Sequence, residues 1–218
     1  MNEIVRNTEL HTYETLLMML GLIFITAAKL IDEHRFNSFM ILFVNNRYFK
    51  IYKKEGNQTQ SRFNLLLFAT QMISYGLAIQ LCIKYFDIAL SQNILVIIAF
   101  LALFIVFKYY LEKIIAAIFD IPEFAEDFQF NKLTYHNLSA LILIPFIAFF
   151  IYTDYFKNIL IYTILGLFIF LNLISLILTL RNHQKLISKY LFYFILYLCA
   201  LEIAPYLIVI RLFFTDKA

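Results

Sequence analysis

The sequence predicts an all-α fold, a polytopic transmembrane bundle of about six spans with two interfacial amphipathic helices on the cytoplasmic side. Three observations carry this reading. Of 218 residues, 62% are hydrophobic and 15% charged, whereas a soluble domain is usually about half apolar and about a quarter charged. The apolar residues run in blocks close to the ~20 that a membrane-spanning helix needs, without the short alternating segments of a transmembrane β-barrel. Glycine and proline number only 4 and 3, which suits long helices with short connections. Residues 1–218 read as one integral membrane domain.

The first segment, Glu14–Ile31, lacks a basic start and a small-residue cleavage site, so it reads as a span and not as a cleaved signal peptide. Its cations, Lys29 and Arg35, follow the apolar stretch, which favours an outside N-terminus. In Arg35–Tyr52, Phe36, Phe39, Met40, Phe43 and Val44 recur at helical spacing and Arg47 and Lys50 follow. This predicts an interfacial helix with its apolar side among lipid headgroups. The alternative packs that side on the protein's own helices. The next stretch, KKEGNQTQSR, reads as a solvated loop, and a cytoplasmic placement makes its Asn57 glycosylation sequon meaningless.

Leu65–Lys84 and Ile88–Phe107 read as the second and third spans. Between Lys108 and His136 lie five carboxylates among aromatics: Glu112, Asp120, Glu123, Glu126 and Asp127. Asp120 as N-cap, Pro122 in the first turn and Glu123 near the positive dipole end predict a short amphipathic helix, roughly Pro122–Phe130. Leu138–Thr153, with Pro145 near its middle, and Asn158–Leu180 follow as spans. The last is Lys189–Phe213.

The cations divide unequally between the two sides. One set of connections holds Lys29, Arg35, Arg47, Lys50, Lys53, Lys54, Arg62, Lys108, Lys113, Lys132, Arg181, Lys185 and Lys189. The other holds Arg6, Lys84, Lys157, Arg211 and Lys217. The positive-inside rule puts the richer set in the cytoplasm, and six spans then leave both termini outside. Tryptophan is absent, so the interfacial aromatic role falls to the 15 tyrosines. A net charge of +3 gives no ground for nucleic-acid binding.

No zinc-protease helix, paired-cysteine motif, phosphate-binding glycine loop or nucleophile elbow is present. Cys82 and Cys199 lie in apolar segments and read as small buried hydrophobes. His11, His34, His136 and His183 fall in predicted loops or helix ends, a poor basis for a metal site. Neither cofactor nor metal is expected. Gln71, Ser74, Asn172 and Ser175 are single polar groups in apolar helices, explained by interhelical hydrogen bonds.

The residue that stands out is Glu202, a lone carboxylate in the last apolar run, three positions before Pro205. A carboxylate inside a span is costly and marks a partnered or functional position; the proline invites a kink. By helical rise Glu202 lies in the outer half of the membrane, at a depth also reached by Gln80, Lys84 and Tyr162. These are the candidate partners. The chemical reading is a proton relay or cation site; the structural reading, which the absence of convergent polar groups favours, is a buried hydrogen-bonded carboxylate.

The run FYFILYLCALEIAPYLIVIR, Phe192–Arg211, resembles the C-terminal signature of an uncharacterised family of multi-pass inner-membrane proteins of the Bacteroidota. The matching core is Leu196, Tyr197, Leu198, Cys199, Leu201, Glu202, Ile203 and Pro205, and Arg35-Phe36 is also similar. The resemblance implies a bacterial cytoplasmic-membrane location and supplies no activity. The expectation is a non-enzymatic inner-membrane subunit or scaffold of an envelope assembly. Its partners would be membrane lipids and either another protein or copies of itself. The competing expectation is a small proton- or ion-coupled transporter using Glu202.

Overall fold

The computed structural model describes residues 12–43, 47–52, 61–86, 93–118, 122–153 and 156–182. Among them all regular structure is α-helical: α1 (Thr12–Ile31), α2 (Glu33–Met40), α3 (Arg47–Tyr52), α4 (Arg62–Tyr85), α5 (Ile94–Ile118), α6 (Pro122–Tyr152) and α7 (Lys157–Asn182). Five of these, α1, α4, α5, α6 and α7, are long and apolar enough to cross a membrane. The expected last span, Lys189–Phe213, lies outside the described residues.

Local chemistry sets several boundaries. Asp32 adopts extended backbone and its carboxylate accepts from Arg35 N–H at 2.8 Å, so α2 starts with a capped turn one residue after α1 ends. Ser61 caps α4 in the same way, through Asn64 N–H at 3.4 Å. Phe156, before α7, holds a positive φ of 62°, a conformation bulky side chains rarely adopt.

The hub is α4. In its most apolar stretch 72% of residues are buried, against 11% in α5, although α5 is the more hydrophobic helix, with mean hydropathy 2.6 against 1.6. Burial here follows position in the bundle and not hydropathy, since the less apolar helix is the one its neighbours cover. α1 packs antiparallel on α4. α6 runs parallel to α4: Phe63 and Leu67 share a cluster with Phe130 and Leu138, and Leu77 and Leu81 share the next with Leu143 and Ile147. α5 lies on the α4–α6 pair, and α7 packs mainly on α6.

The approach of α5 is close. A Cβ added to Gly76 of α4 would sit 2.5 Å from Ile98 Cγ1 of α5. Gly21 of α1 leaves ordinary contact distance to Ile73, and Gly166 of α7 has open space.

Three expectations change. The segment read as one interfacial helix, Arg35–Tyr52, forms α2 and α3 around a turn at residues 41–43. Phe36, Phe39, Leu42, Tyr48 and Phe49 are buried against Phe63 of α4 and Phe130 of α6, so these residues pack on the protein itself, while Met40 stays exposed. The short helix expected at Pro122–Phe130 is not separate: it continues into the fourth span as the 31-residue α6. No glycine or proline stands between Phe130 and Leu138 to break it, and Pro145 sits inside the helix without ending it. The third expected segment, Ile88–Phe107, corresponds to helix α5, which runs on past Phe107 to Ile118.

Candidate functional site

Polar side chains gather at two levels of the bundle. The first is the end where α1 and α7 begin and α4 and α6 finish. Lys84 Nζ meets Glu14 Oε1 at 2.5 Å; Glu14 is buried, and the Lys84 side chain is 37% exposed. Tyr152 O–H donates to Thr15 Oγ1 at 3.1 Å, and Tyr85 O–H donates to Asn158 Oδ1 at 2.6 Å. Each of these bonds joins two helices, so together they tie α1 to α4, α1 to α6 and α4 to α7.

The residues singled out in the sequence divide here. Lys84 is paired with Glu14, a residue the sequence marked only as a span boundary. Gln80 stands one helical turn before Lys84 on α4 and is buried. Tyr162 is exposed on α7, its ring edge-on to Phe86 at 6.4 Å. Glu202 and Pro205 lie outside the described residues.

The second level is the opposite half of the bundle. Helix α6 is about 46 Å long at 1.5 Å per residue, against roughly 30 Å of hydrocarbon. Its first turns and the last turns of α5 hold a buried carboxylate. Glu112 Oε2 accepts from Gln129 Nε2 at 3.0 Å, and its Oε1 accepts from Lys132 Nζ at 3.2 Å. Gln129 Nε2 also reaches the Tyr109 carbonyl at 3.3 Å. Asn182 of α7 donates to Tyr135 O–H oxygen at 3.3 Å.

Beside this cluster Arg35 of α2 is buried inside an aromatic enclosure. Its guanidinium carbon lies 4.8 Å from the Tyr52 ring centroid, 5.0 Å from Phe63 and 5.8 Å from Tyr48. Arg35 Nε donates to the Tyr48 hydroxyl at 3.1 Å. Burial pushes the Tyr48 hydroxyl from 10.0 up to about 12, against the opposing pull of the Arg35 charge and hydrogen bond. The arrangement clamps α2 and α3 onto α4 by cation–π attraction.

Along the α4–α6 seam, Ser74 Oγ donates to the Ala140 carbonyl at 2.9 Å. Tyr75 O–H donates to the His136 carbonyl at 3.3 Å and lies 3.5 Å from His136 Nδ1. His136, expected in a loop or at a helix end, is therefore inside α6. The interhelical bonds expected of single polar groups hold for Ser74. Asn172 instead donates to the Phe168 carbonyl of its own helix. Cys82 is a free, half-buried cysteine. Among the described residues no group of three His, Cys, Asp or Glu side chains is placed to hold a metal ion.

Between α1, α4 and α6 lies a cavity of about 10 Å³, lined by Met18, Gly21, Ile73, Ser74, Leu77, Ile144 and Ile147. That is room for about one water molecule. The charged groups above are bound to side chains of neighbouring helices and do not converge on this space. The missed residues, Glu14, Glu112 and Gln129, had a faint signal. Each is a polar residue near an apolar segment whose partner lies far along the chain.

Comparison with curated proteins finds no match, and comparison with solved structures finds none either. A scan against protein families matches residues 15–213 to a domain of unknown function, DUF4271. The match takes in α2 to α7 whole and nearly all of α1. On that coverage the chain belongs to the DUF4271 family.

Proposed function

We propose that this is a non-enzymatic multi-pass protein of the bacterial inner membrane, acting as a membrane-embedded subunit or scaffold of an envelope assembly. The five long apolar helices and the cation asymmetry support that location, with both termini outside. Its partners are membrane lipids and either a second protein or further copies of the chain. One observation carries the scaffold reading: the buried charged groups serve helix–helix contacts. Glu14 pairs with Lys84, Glu112 with Lys132, and Arg35 bonds Tyr48. A transport site needs convergent polar groups around a ligand-sized space. The nearby cavity is one water in size and lined mainly by apolar side chains.

Two experiments test the reading. Photo-crosslinkers at Phe100, Leu103 and Phe107, all exposed on α5, should give a discrete protein adduct in living cells. Lipid adducts alone would count against a protein assembly through this helix. Glu202→Gln keeps the shape and most hydrogen bonds of the glutamate but cannot exchange a proton. It should accumulate normally and complement a deletion strain. A well-folded variant that fails to complement would overturn the scaffold reading in favour of a proton-coupled transporter.

A further inference from the structure

Gln71 and Asn137 stand at one level of the α4–α6 seam. The Ser74–Ala140 hydrogen bond fixes the register of these parallel helices, and each residue precedes its end of that bond by three positions. Both also lie on the facing stripes. On α4 the buried stripe runs Leu67, Gln71, Ser74, Ala78 and Leu81; on α6, Asn137, Ala140 and Ile147 recur one helical turn or two apart. Gln71 is 4% exposed and Asn137 2%. Gln71 Oε1, Asn137 Oδ1 and Asn137 Nδ2 have no hydrogen-bond partner among the described residues. One turn along, Ser74 lines the 10 Å³ cavity between α1, α4 and α6.

Buried amides are costly to leave unpaired, above all where neighbouring side chains are apolar. A direct bond from Asn137 Nδ2 to Gln71 Oε1 would satisfy two of the three atoms and orphan Asn137 Oδ1. A cation would suit both oxygens but would face the Asn137 N–H donors with positive charge. A molecule with two donors and two acceptors matches all three atoms. We infer that Gln71 and Asn137 form a binding site for one water molecule bridging α4 and α6. The water donates to Gln71 Oε1 and Asn137 Oδ1 and accepts from Asn137 Nδ2. This site is independent of the scaffold reading and would hold in a transporter equally well.

The test uses the full chain in lipid nanodiscs with isotope-labelled asparagine and glutamine. The Asn137 side-chain amide is assigned by its loss in Asn137→Ser. Water-to-amide magnetisation transfer should give a dipolar cross-peak at Asn137 with the sign of a long-lived bound water. That cross-peak should be lost in Gln71→Leu, which removes one of the water's acceptors. Absence of the cross-peak in the wild type would overturn the proposal. So would a direct cross-peak between the Gln71 and Asn137 amides, a water signal unchanged in Gln71→Leu, or displacement of the signal by sodium or potassium. If Gln71→Leu fails to accumulate, the wild-type spectrum decides alone.

Discussion

Lys84 in the last turn of α4 is paired with Glu14 in the first turn of α1, with Nζ and Oε1 2.5 Å apart. The carboxylate is buried while the ammonium keeps solvent contact, so the two partners are unequal. Lys84→Met removes the cation beside a buried carboxylate and should destabilise the protein by about 1–3 kcal/mol. Glu14→Gln leaves a cation that reaches water and should cost less. The double variant Glu14→Gln/Lys84→Met should lose less than the two singles together, because its members share one contact. Thermal unfolding in detergent measures all three; additive losses would dismiss the pair as a stabilising contact.

The three glycines in the described spans should respond differently to alanine. Gly76→Ala drives a methyl into Ile98 and should cost about 1–3 kcal/mol, relieved in part by Ile98→Ala. Gly166→Ala meets nothing and should gain about 0.5–1 kcal/mol from reduced backbone freedom in the unfolded chain. Gly21→Ala, at ordinary contact distance from Ile73, should be close to neutral. The same unfolding assay ranks them.

Tyr48 makes a pH prediction. Its hydroxyl ionises near 12 in the folded protein and near 10.0 when unfolded. Between these values the unfolded chain has released the proton and the folded one has not, so stability falls as pH rises. The contribution is complete below pH 10.0 and is lost on passing about 12. Ultraviolet titration should find a late-ionising tyrosine that Tyr48→Phe removes. The alkaline loss of thermal stability should be shallower in that variant.

Topology follows from the cation asymmetry. Alkaline phosphatase fused at Asp87 or Asp154 should be active, and fused at Asn57 or Asn182 inactive. The reverse pattern would invert the orientation and exchange the two polar levels of the bundle between the faces of the membrane.

Much of the helix layout was readable from apolar runs alone. Expected limits of Glu14–Ile31, Leu65–Lys84 and Asn158–Leu180 compare with Thr12–Ile31, Arg62–Tyr85 and Lys157–Asn182. A run of lipid-compatible residues bounded by charges is a local signal. The stretch joining the helix expected at Pro122–Phe130 to the span expected from Leu138 was not readable, because Asn131, Thr134 and Asn137 look like loop residues and are buried by neighbouring helices. Glu14 was overlooked for a related reason: its cation lies 70 residues away. The fate of Phe36 and Phe39 depended on whether Phe63 and Phe130 arrive to cover them, which composition leaves open. Glu202 and Pro205, prominent in the sequence, stay outside the described residues.

The parallel seam between α4 and α6 has a consequence for how the chain is made. Synthesis runs from the N-terminus, so α4 emerges before the helix that receives its polar face. While α5 is still being threaded, Ser74 has no Ala140 carbonyl to donate to, and Tyr75 has no His136. During that interval α1 can shield only one flank of α4. A nascent chain halted before Pro122 would therefore carry an open polar seam, the kind of surface that quality-control proteases engage. The arrival of α6 is the step that closes it, making the bundle's assembly a matter of timing as well as of sequence.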